Sequence, residues 1–266
     1  MSEKVSVIMA CYNCEETVAA TIDSILAQTY KNWELIICND CSTDNTLKVL
    51  KEYEMKFPDR IKIIENEVNK KLPASLNHCL KYVSGTYVAR MDGDDTSHPE
   101  RLEKQVAYLQ NHPDINLVGT AMEVFNGKEI IGAVKNVENP TKYDMKKSPC
   151  FCHATIMTYK YVYDKLNGYS LCKRAIRCED VDLWYRFFAE GYNGANIQEC
   201  LYRVTDDENA YKRRKFSNRV NAMRTMFFGY RLLKFPIYWY PIVLSPVIKG
   251  LVPRFLYTFL RNRKFK

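Results

Sequence analysis

The sequence predicts an α/β fold in which a mostly parallel sheet is flanked by helices. Short apolar runs at Val5–Cys11 and Trp33–Cys38 have the length of buried strands, and each is followed by a polar turn and a segment with helical apolar spacing. Strand, turn and helix in succession are typical of a parallel sheet. With 266 residues and 47% hydrophobic content, the chain can bury one large core and carry a small appendage.

The first half of the chain, about residues 1–115, continues this alternation. Asn13 with Glu16 three residues later predicts the N-terminal cap of the first helix. A third strand is expected at Arg60–Glu65, a helix at Pro73–Val83 ended by Gly85, and a fourth strand from Tyr87. A charged helix at Pro99–Asn111 closes this half.

The second half, about residues 116–204, departs from the parallel pattern. Leu117–Val134 reads as a β-hairpin, because Asn126-Gly127 is a strong hairpin turn signal. A strand is expected at Phe151–Thr158 and a turn at Asn167–Tyr169. A helix rich in Trp and Phe then opens at Cys178–Asp180 and is ended by Gly191.

Three carboxylates follow the fourth strand within four residues, at Asp92, Asp94 and Asp95. Like charges this close repel, so a hard divalent cation such as Mg²⁺ or Mn²⁺ is the expected partner. A plain polar turn is the alternative, although turn chemistry rarely needs three carboxylates. A calcium-binding helix–loop–helix is excluded by Ser97 at the position that requires glycine.

Polar residues at the ends of separate strands are expected to meet at one edge of the sheet. Tyr12 follows the first strand, Asp40 the second and the Asp92 cluster the fourth. In an open α/β sheet, ligands lie outside the carboxyl ends of the strands. The sequence therefore predicts one crevice that combines these three positions.

Two further polar positions have an ordinary and a functional interpretation. Asp180 in a first helical turn is stabilised by the helix dipole, but the Glu179-Asp180 pair beside an aromatic helix equally suits a general base. His153 lies in an apolar run, where a histidine is more often a core residue than a ligand.

The ten cysteines include two CxxC motifs, Cys11–Cys14 and Cys38–Cys41. The N-terminus shows no apolar signal segment, so reduced cytoplasmic thiols are expected. A structural zinc is the alternative use of paired motifs, but 23 residues separate them, more than the roughly 15–20 usual in such sites.

Residues 205–266 form a basic, aromatic extension with 14 Lys and Arg against three Asp and Glu. Its longest uncharged run, Phe235–Ile248, has 14 residues, fewer than the roughly 20 of a membrane-spanning helix. Aromatic residues beside the basic clusters 212–215 and 261–264 favour the surface of the cytoplasmic membrane. The alternative is that the aromatic residues pack on the core of the body. Nucleic acid is not expected as a partner, because basic and aromatic residues are not interleaved on one face.

Taken together, four motifs resemble the family 2 glycosyltransferases with the GT-A fold, over about Val5–Val204. They are the first strand with Tyr12-Asn13, the run Asn39–Thr46, the stretch Ala89–Asp95, and Glu179–Trp184. Ala89–Asp95 followed by Pro99-Glu100-Arg101 is most similar to bacterial enzymes that build O-antigen and capsule repeat units. The resemblance implies a Rossmann-like GT-A domain carrying a helical, membrane-associating extension.

The resemblance also implies roles for individual residues. The nucleotide would be bound by Ala10, Tyr12, Asn13, Asp40 and Asp92, with Tyr12 stacking on the base and Asp40 bonding to it. The metal, Mn²⁺ or Mg²⁺, would be held by Asp92 and Asp94 and would neutralise the departing diphosphate. Asp180 would deprotonate the acceptor hydroxyl, and one in-line displacement at the anomeric carbon would then invert its configuration. Additional substrate contacts are expected from the following residues: Asp95, His153, Glu179 and Trp184.

The implied reaction is sugar transfer from a nucleotide sugar, UDP-linked by expectation, to a lipid-diphosphate-linked saccharide. Leu76 stands near the position where many members carry a phosphate-binding Arg, which leaves Lys70, Lys71 or Arg90 as substitutes. A sugar-phosphate nucleotidyltransferase is a second hypothesis, but Cys11–Cys14 lacks the glycine-rich phosphate loop that it needs. A binding protein for anionic surfaces or nucleic acid is a third.

Overall fold

The computed structural model describes residues 3–147, 149–206 and 215–251. Its strands are β1 Val5–Cys11, β2 Trp33–Asn39, β3 Ile61–Glu65, β4 Tyr87–Asp92, β5 Thr96–Ser97, β6 Leu117–Phe125, β7 Ile130–Val134, β8 Met157–Tyr159 and β9 Gly194–Thr205. Its α-helices are α1 Val18–Leu26, α2 Thr46–Lys56, α3 Leu72–Leu80, α4 Arg101–Asn111, α5 Lys160–Leu166, α6 Glu179–Ala189, α7 Phe216–Leu232 and α8 Ser245–Leu251. Short 3₁₀ segments include His153–Thr155 and Ile237–Leu244.

The strands form one mixed sheet in the order β3-β2-β1-β4-β8-β6-β9-β5, with β7 added to β6. The strands β3, β2, β1 and β4 run parallel, as the sequence predicts for the first half. The short strand β8 then pairs antiparallel with both β4 and β6 and joins the two halves into one sheet. All carboxyl ends of the parallel group consequently open onto the same edge.

Both faces of the sheet are covered by helices, which explains the mostly apolar runs of β1 and β2. Val7 and Met9 point into one core with α1 and α4, whereas Ile8 points into the other core with α3, α5 and α6. A strand buried on both faces carries apolar residues at nearly every position. The predicted α/β fold of the catalytic body is confirmed.

Several local predictions are wrong. Helix α1 begins at Val18 with Thr17 as the capping residue, because Asn13 adopts a left-handed φ of 52° and bonds to another loop. Helix α3 ends at Leu80, and Gly85 is needed for close approach to the Lys4 carbonyl rather than as a cap, since a Cβ there would lie 2.5 Å from that oxygen. The strand expected at Phe151–Thr158 is reduced to β8, and His153 begins a 3₁₀ turn.

The C-terminal extension packs against the body. Gly229 of α7 lies against the ring of Tyr185 on α6, so closely that an added Cβ would come within 2.2 Å of it. Phe235 and Val243 are buried in the same core, whereas Ile237 is 83% and Tyr238 74% exposed. Part of the aromatic extension therefore belongs to the core, as the alternative interpretation expected. The basic residues 212–214 and 261–264 lie outside the described residues.

Across the described ranges, none of the helices combines the length and the apolarity that crossing a membrane requires.

Candidate active site

The ends of β1, β2 and β4 enclose a cavity of about 520 Å³. Its walls bring together all six predicted nucleotide or metal residues, from three separate strands and the loops after them: Ala10, Tyr12, Asn13, Asp40, Asp92 and Asp94. The parallel register explains this, because Ala10 is paired with Cys38 on one side and with Asp92 on the other.

The three clustered carboxylates differ in exposure. One oxygen from each of Asp92, Asp94 and Asp95 lies within 4.8 Å of the others, and this is the one such group in the described residues. Asp94 is exposed, Asp92 half-buried and Asp95 buried. Hard carboxylate oxygens at this spacing suit Mg²⁺ or Mn²⁺, and Asp94 is the ligand most open to the cavity.

Asp95 serves as the anchor of the cluster. It accepts hydrogen bonds from the Tyr202 hydroxyl at 2.8 Å and from the backbone N–H of Thr205 at 2.9 Å. Burial, reinforced by the charges of Asp92 and Asp94, raises its pKa to about 7. The Asp95 side chain is 2% exposed and has protein partners, so these contacts give it a structural role, and its contact with substrate stays a prediction.

Gly93 allows close packing at the centre of this turn. A Cβ on Gly93 would lie 2.9 Å from the Cys11 sulfur, so a larger residue would push the turn away from β1. The Thr17 hydroxyl donates to the Gly93 carbonyl at 2.9 Å and ties the turn to the start of α1. The acidic loop is thus positioned by both flanking segments.

Arg90 is the cationic partner of the acidic cluster. Its guanidinium, 3% exposed, forms a bidentate ion pair with Asp92. Its charge also lowers the pKa values of Glu179 and Asp180, although burial, the larger effect, raises both. A buried Arg with this partner is not available as an open phosphate ligand, so we assign Arg90 to holding Asp92.

Asp180 occupies the first turn of α6, as the sequence predicts. Burial raises its pKa above that of an ordinary aspartate, and backbone N–H groups of the helix start partly offset this. A carboxylate with a raised pKa at a partly open position has the properties of a general base. Glu179 beside it is 9% exposed, with a pKa also raised by burial.

The buried Asp182 fixes the orientation of α6. It has no accessible surface and pairs with Arg174 and, at 2.8 Å, with Arg186. Arg186 also donates to the carbonyls of Leu166 and Gly168. This network holds the first turn of α6, and with it Asp180, against the loop after α5.

His153 and Trp184 belong to the core below the site. The His153 Nε2 lies 2.8 Å from the Tyr169 hydroxyl, which in turn contacts the Tyr163 hydroxyl at 2.9 Å. Burial and the charge of Arg90 lower the pKa of His153 well below its usual value. Trp184 is 0% exposed and packs against Phe151, so its observed role is in the core and its contact with substrate stays a prediction.

Tyr12 and Asn13 have different environments. Tyr12 is 49% exposed at the cavity mouth, which suits stacking on a nucleotide base. The side chain of Asn13 instead accepts from the Thr43 N–H at 2.9 Å and donates to the Thr43 hydroxyl at 3.2 Å. Asn13 therefore joins the loops after β1 and β2 and shapes the cavity.

Asp40 is 3% exposed and anchors the loop between β3 and α3. Its carboxylate accepts the backbone N–H groups of Lys70 and Lys71, each at 2.8 Å, and the Asn66 amide at 2.8 Å. If Asp40 binds the base of the nucleotide, it would do so through the lone pair of Oδ2 that these hydrogen bonds leave unused.

The two CxxC motifs do not assemble into one four-cysteine site. In the described residues, the acidic triad is the one group of His, Cys, Asp and Glu side chains with the spacing of metal ligands. The Cys38 sulfur instead lies 3.9 Å from the Nδ1 of His78. All ten cysteines are free thiols.

The sequence did not indicate the site residues that lie far along the chain from the acidic loop. Tyr202 and Thr205 lie more than 100 positions after the acidic loop, and no local motif marks them. The Thr205 hydroxyl also donates to the Asp94 carbonyl, although the predicted domain ended at residue 204. Pairing of β9 with β5 brings them there.

Known proteins are similar to this chain in sequence and in fold. Residues 6–166 match the family described as glycosyl transferase family 2. The chain is 49% identical over 250 residues to a putative glycosyltransferase, EpsE, of Bacillus subtilis, covering 94% of this chain and 90% of that protein.

A second relative and a solved structure extend the comparison. The Escherichia coli enzyme WfgD, named a UDP-Glc:alpha-D-GlcNAc-diphosphoundecaprenol beta-1,3-glucosyltransferase, is 36% identical over 182 residues, which are 68% of each chain. The structure of a Pyrobaculum calidifontis mannosyltransferase in complex with GDP-Man and Mn²⁺ superposes with a TM-score of 0.66 at 15% identity, over 99% of this chain and 80% of that one. The chain belongs to glycosyl transferase family 2, with the GT-A fold, and it is a glycosyltransferase.

Proposed function

We propose that the protein is an inverting, metal-dependent enzyme that transfers a hexose or N-acetylhexosamine from a UDP-sugar to a saccharide on a lipid diphosphate, in surface polysaccharide synthesis. The observation that carries this proposal is the acidic cluster in the cavity that Tyr12 and Asp40 also line. The cavity offers a stacking surface for a base and carboxylates that would hold a metal ion for a nucleotide diphosphate. Asp180, in the first turn of α6, would supply the base.

The residues have complementary tasks in this reaction. Asp94 and Asp92 would hold Mn²⁺ or Mg²⁺, which stabilises the negative charge of a leaving diphosphate. Asp180 accepts the proton of the acceptor hydroxyl, and that oxygen then attacks the anomeric carbon as the bond to the diphosphate breaks. Attack from the side opposite the leaving group inverts the configuration.

The lipid-linked acceptor and the UDP donor are supported by the name of the relative WfgD. Because the solved mannosyltransferase is in complex with GDP-Man, the identity of the nucleotide needs a direct test. We further propose that the enzyme lies on the inner face of the cytoplasmic membrane, because residues 215–251 carry six Lys and Arg, no Asp or Glu, and exposed aromatic residues.

A transfer assay tests the proposal. The enzyme is incubated with Mn²⁺, a synthetic GlcNAc-diphosphate-alkyl acceptor, and in turn UDP-glucose, UDP-N-acetylglucosamine, UDP-galactose and GDP-mannose. NMR of the product should show a β-linkage from the α-linked UDP donor. Asp180→Asn should lose transfer, whereas Asp164→Asn, at an exposed pair with Lys160, should retain it. A product with retained configuration, or transfer only from GDP-mannose, would contradict the corresponding part of the proposal.

A further inference from the structure

A second cavity lies in the C-terminal extension, away from the acidic cluster. It has a volume of about 1010 Å³ and is bounded by α7 and the 3₁₀ segment Ile237–Leu244. Its lining is mostly apolar, with the following side chains: Met223, Phe227, Phe228, Leu232, Val243 and Leu244. Its volume is at the upper end of the roughly 300–1,000 Å³ of small-molecule sites.

Cationic groups surround this apolar groove. Arg224 and Arg231, both exposed, stand on α7 at its rim. Within the described residues, no carboxylate forms an ion pair with either of them. An apolar groove with guanidinium groups at its edge complements a molecule that has a hydrocarbon chain and an anionic head.

The groove shares a wall with the network that holds the catalytic helix. Arg174 lines it, stacks on the ring of Phe228 at 3.6 Å, and forms the ion pair with buried Asp182 of α6. The Thr225 hydroxyl of α7 donates to the Arg174 carbonyl at 2.7 Å. The groove is therefore next to α6, the helix that carries Asp180.

We infer that this groove binds the hydrocarbon chain of a lipid diphosphate, with Arg224 and Arg231 contacting its phosphates. The inference rests on the proposed function, since the lipid diphosphate is the carrier of the acceptor saccharide. Exposed Phe227 and Leu244, 46% and 48% accessible, would be covered by the chain. The site would thus select acceptors by their lipid as well as by their sugar.

Binding of farnesyl diphosphate by isothermal titration tests this without requiring catalysis. EDTA is present throughout, so that the metal-dependent site does not contribute. Farnesyl diphosphate should bind at least about tenfold more tightly than inorganic diphosphate, because burial of a few methylene groups is sufficient for that factor. Equal affinities would overturn the inference.

Two substitutions locate the binding site, and one serves as a matched control. Phe227→Glu and Leu244→Glu should each weaken farnesyl diphosphate binding at least about tenfold, since both place a carboxylate in the groove. Met55→Glu, at a 74% exposed apolar position of α2, should leave it unchanged. Circular dichroism confirms that each variant is folded, and the second groove variant decides the result where the first does not fold. A folded groove variant with wild-type affinity would overturn the inference.

Two further measurements separate this inference from general membrane binding and from the proposed reaction. Sedimentation with phosphatidylglycerol vesicles measures binding to a membrane surface. If Phe227→Glu loses vesicle binding but still binds farnesyl diphosphate, the groove is a membrane-binding patch and the inference is overturned. In the transfer assay, kcat/KM should rise with acceptor chain length in wild type but not in Phe227→Glu. Absence of transfer with every acceptor would refute the proposed function, whereas lipid binding would still be decided by titration.

Discussion

Replacing Tyr202 with Phe removes the hydroxyl that connects β9 to the acidic loop and leaves the ring in place. That hydroxyl donates to Asp95 at 2.8 Å and accepts the Asp92 N–H at 3.2 Å. The aromatic ring would keep its position 5.0 Å from the Arg101 guanidinium. The substitution therefore tests the hydrogen bonds rather than the packing.

The expected cost follows from the burial of both partners. A hydrogen bond to a charged group contributes about 1.5–3 kcal/mol, so we expect the free energy of unfolding to fall by about 2 kcal/mol. For a chain of this size, that corresponds to a decrease of about 4–8 °C in Tm. Since the loop that carries Asp92 and Asp94 loses an anchor, affinity for UDP in Mn²⁺ should also fall.

Thermal unfolding in EDTA and UDP titration in Mn²⁺ measure the two effects. Tyr230→Phe is the matched control, because the Tyr230 hydroxyl is also a hydrogen-bond donor, but to the backbone carbonyl of Lys146 rather than to the acidic loop. It should lose about 1 kcal/mol of stability and retain UDP affinity. An unchanged Tm in Tyr202→Phe, or the same loss of UDP affinity in both variants, would refute the reasoning.

Three further predictions concern charge. Burial raises the pKa of Asp180, so kcat/KM for transfer should rise with pH through that pKa. Asp180→Asn should lower kcat about 10²–10⁴-fold without changing UDP affinity. A transfer rate that does not depend on pH on the acid side would contradict this. Because the pKa of His153 is lowered in the folded chain, that chain binds fewer protons than the unfolded chain at acidic pH. The free energy of unfolding, measured by urea unfolding across pH, should therefore fall as pH drops below about 6.5. This fall should be smaller in His153→Gln. Asp182→Asn should lower the free energy of urea unfolding by about 3 kcal/mol, because it leaves the half-buried charges of Arg174 and Arg186 without their buried partner. The exposed control Asp164→Asn should change it little.

The strands of the first half could be predicted because their signal is local. Val5–Cys11 is apolar at every position except Ser6, as is typical of a strand covered on both faces, and the structure has β1 with those bounds. The strand at Phe151–Thr158 was predicted too long because a buried apolar run does not distinguish a strand from an irregular core segment. Asn13 was misassigned as a cap because its amide binds Thr43, 30 residues away.

The site was predictable where one strand end carries the chemistry and unpredictable where distant elements meet. Asp92, Asp94 and Tyr12 follow strands directly, and parallel pairing brings them to one edge. The pairing of β9 that places Tyr202 on Asp95 has no local signature. Trp184 looks from sequence like a residue of the site, but its side of α6 faces the core.

The most direct test of the central claim is titration of UDP into the purified protein with Mn²⁺, with EDTA, and with the Asp94→Ala variant in Mn²⁺. Asp59→Ala, at an exposed carboxylate after α2, is the control. We predict binding in Mn²⁺ that is lost in EDTA and in Asp94→Ala but retained in Asp59→Ala. Absence of UDP binding under every condition, or binding that is the same in EDTA and in Asp94→Ala, would contradict a metal-dependent UDP-sugar site at the acidic cluster.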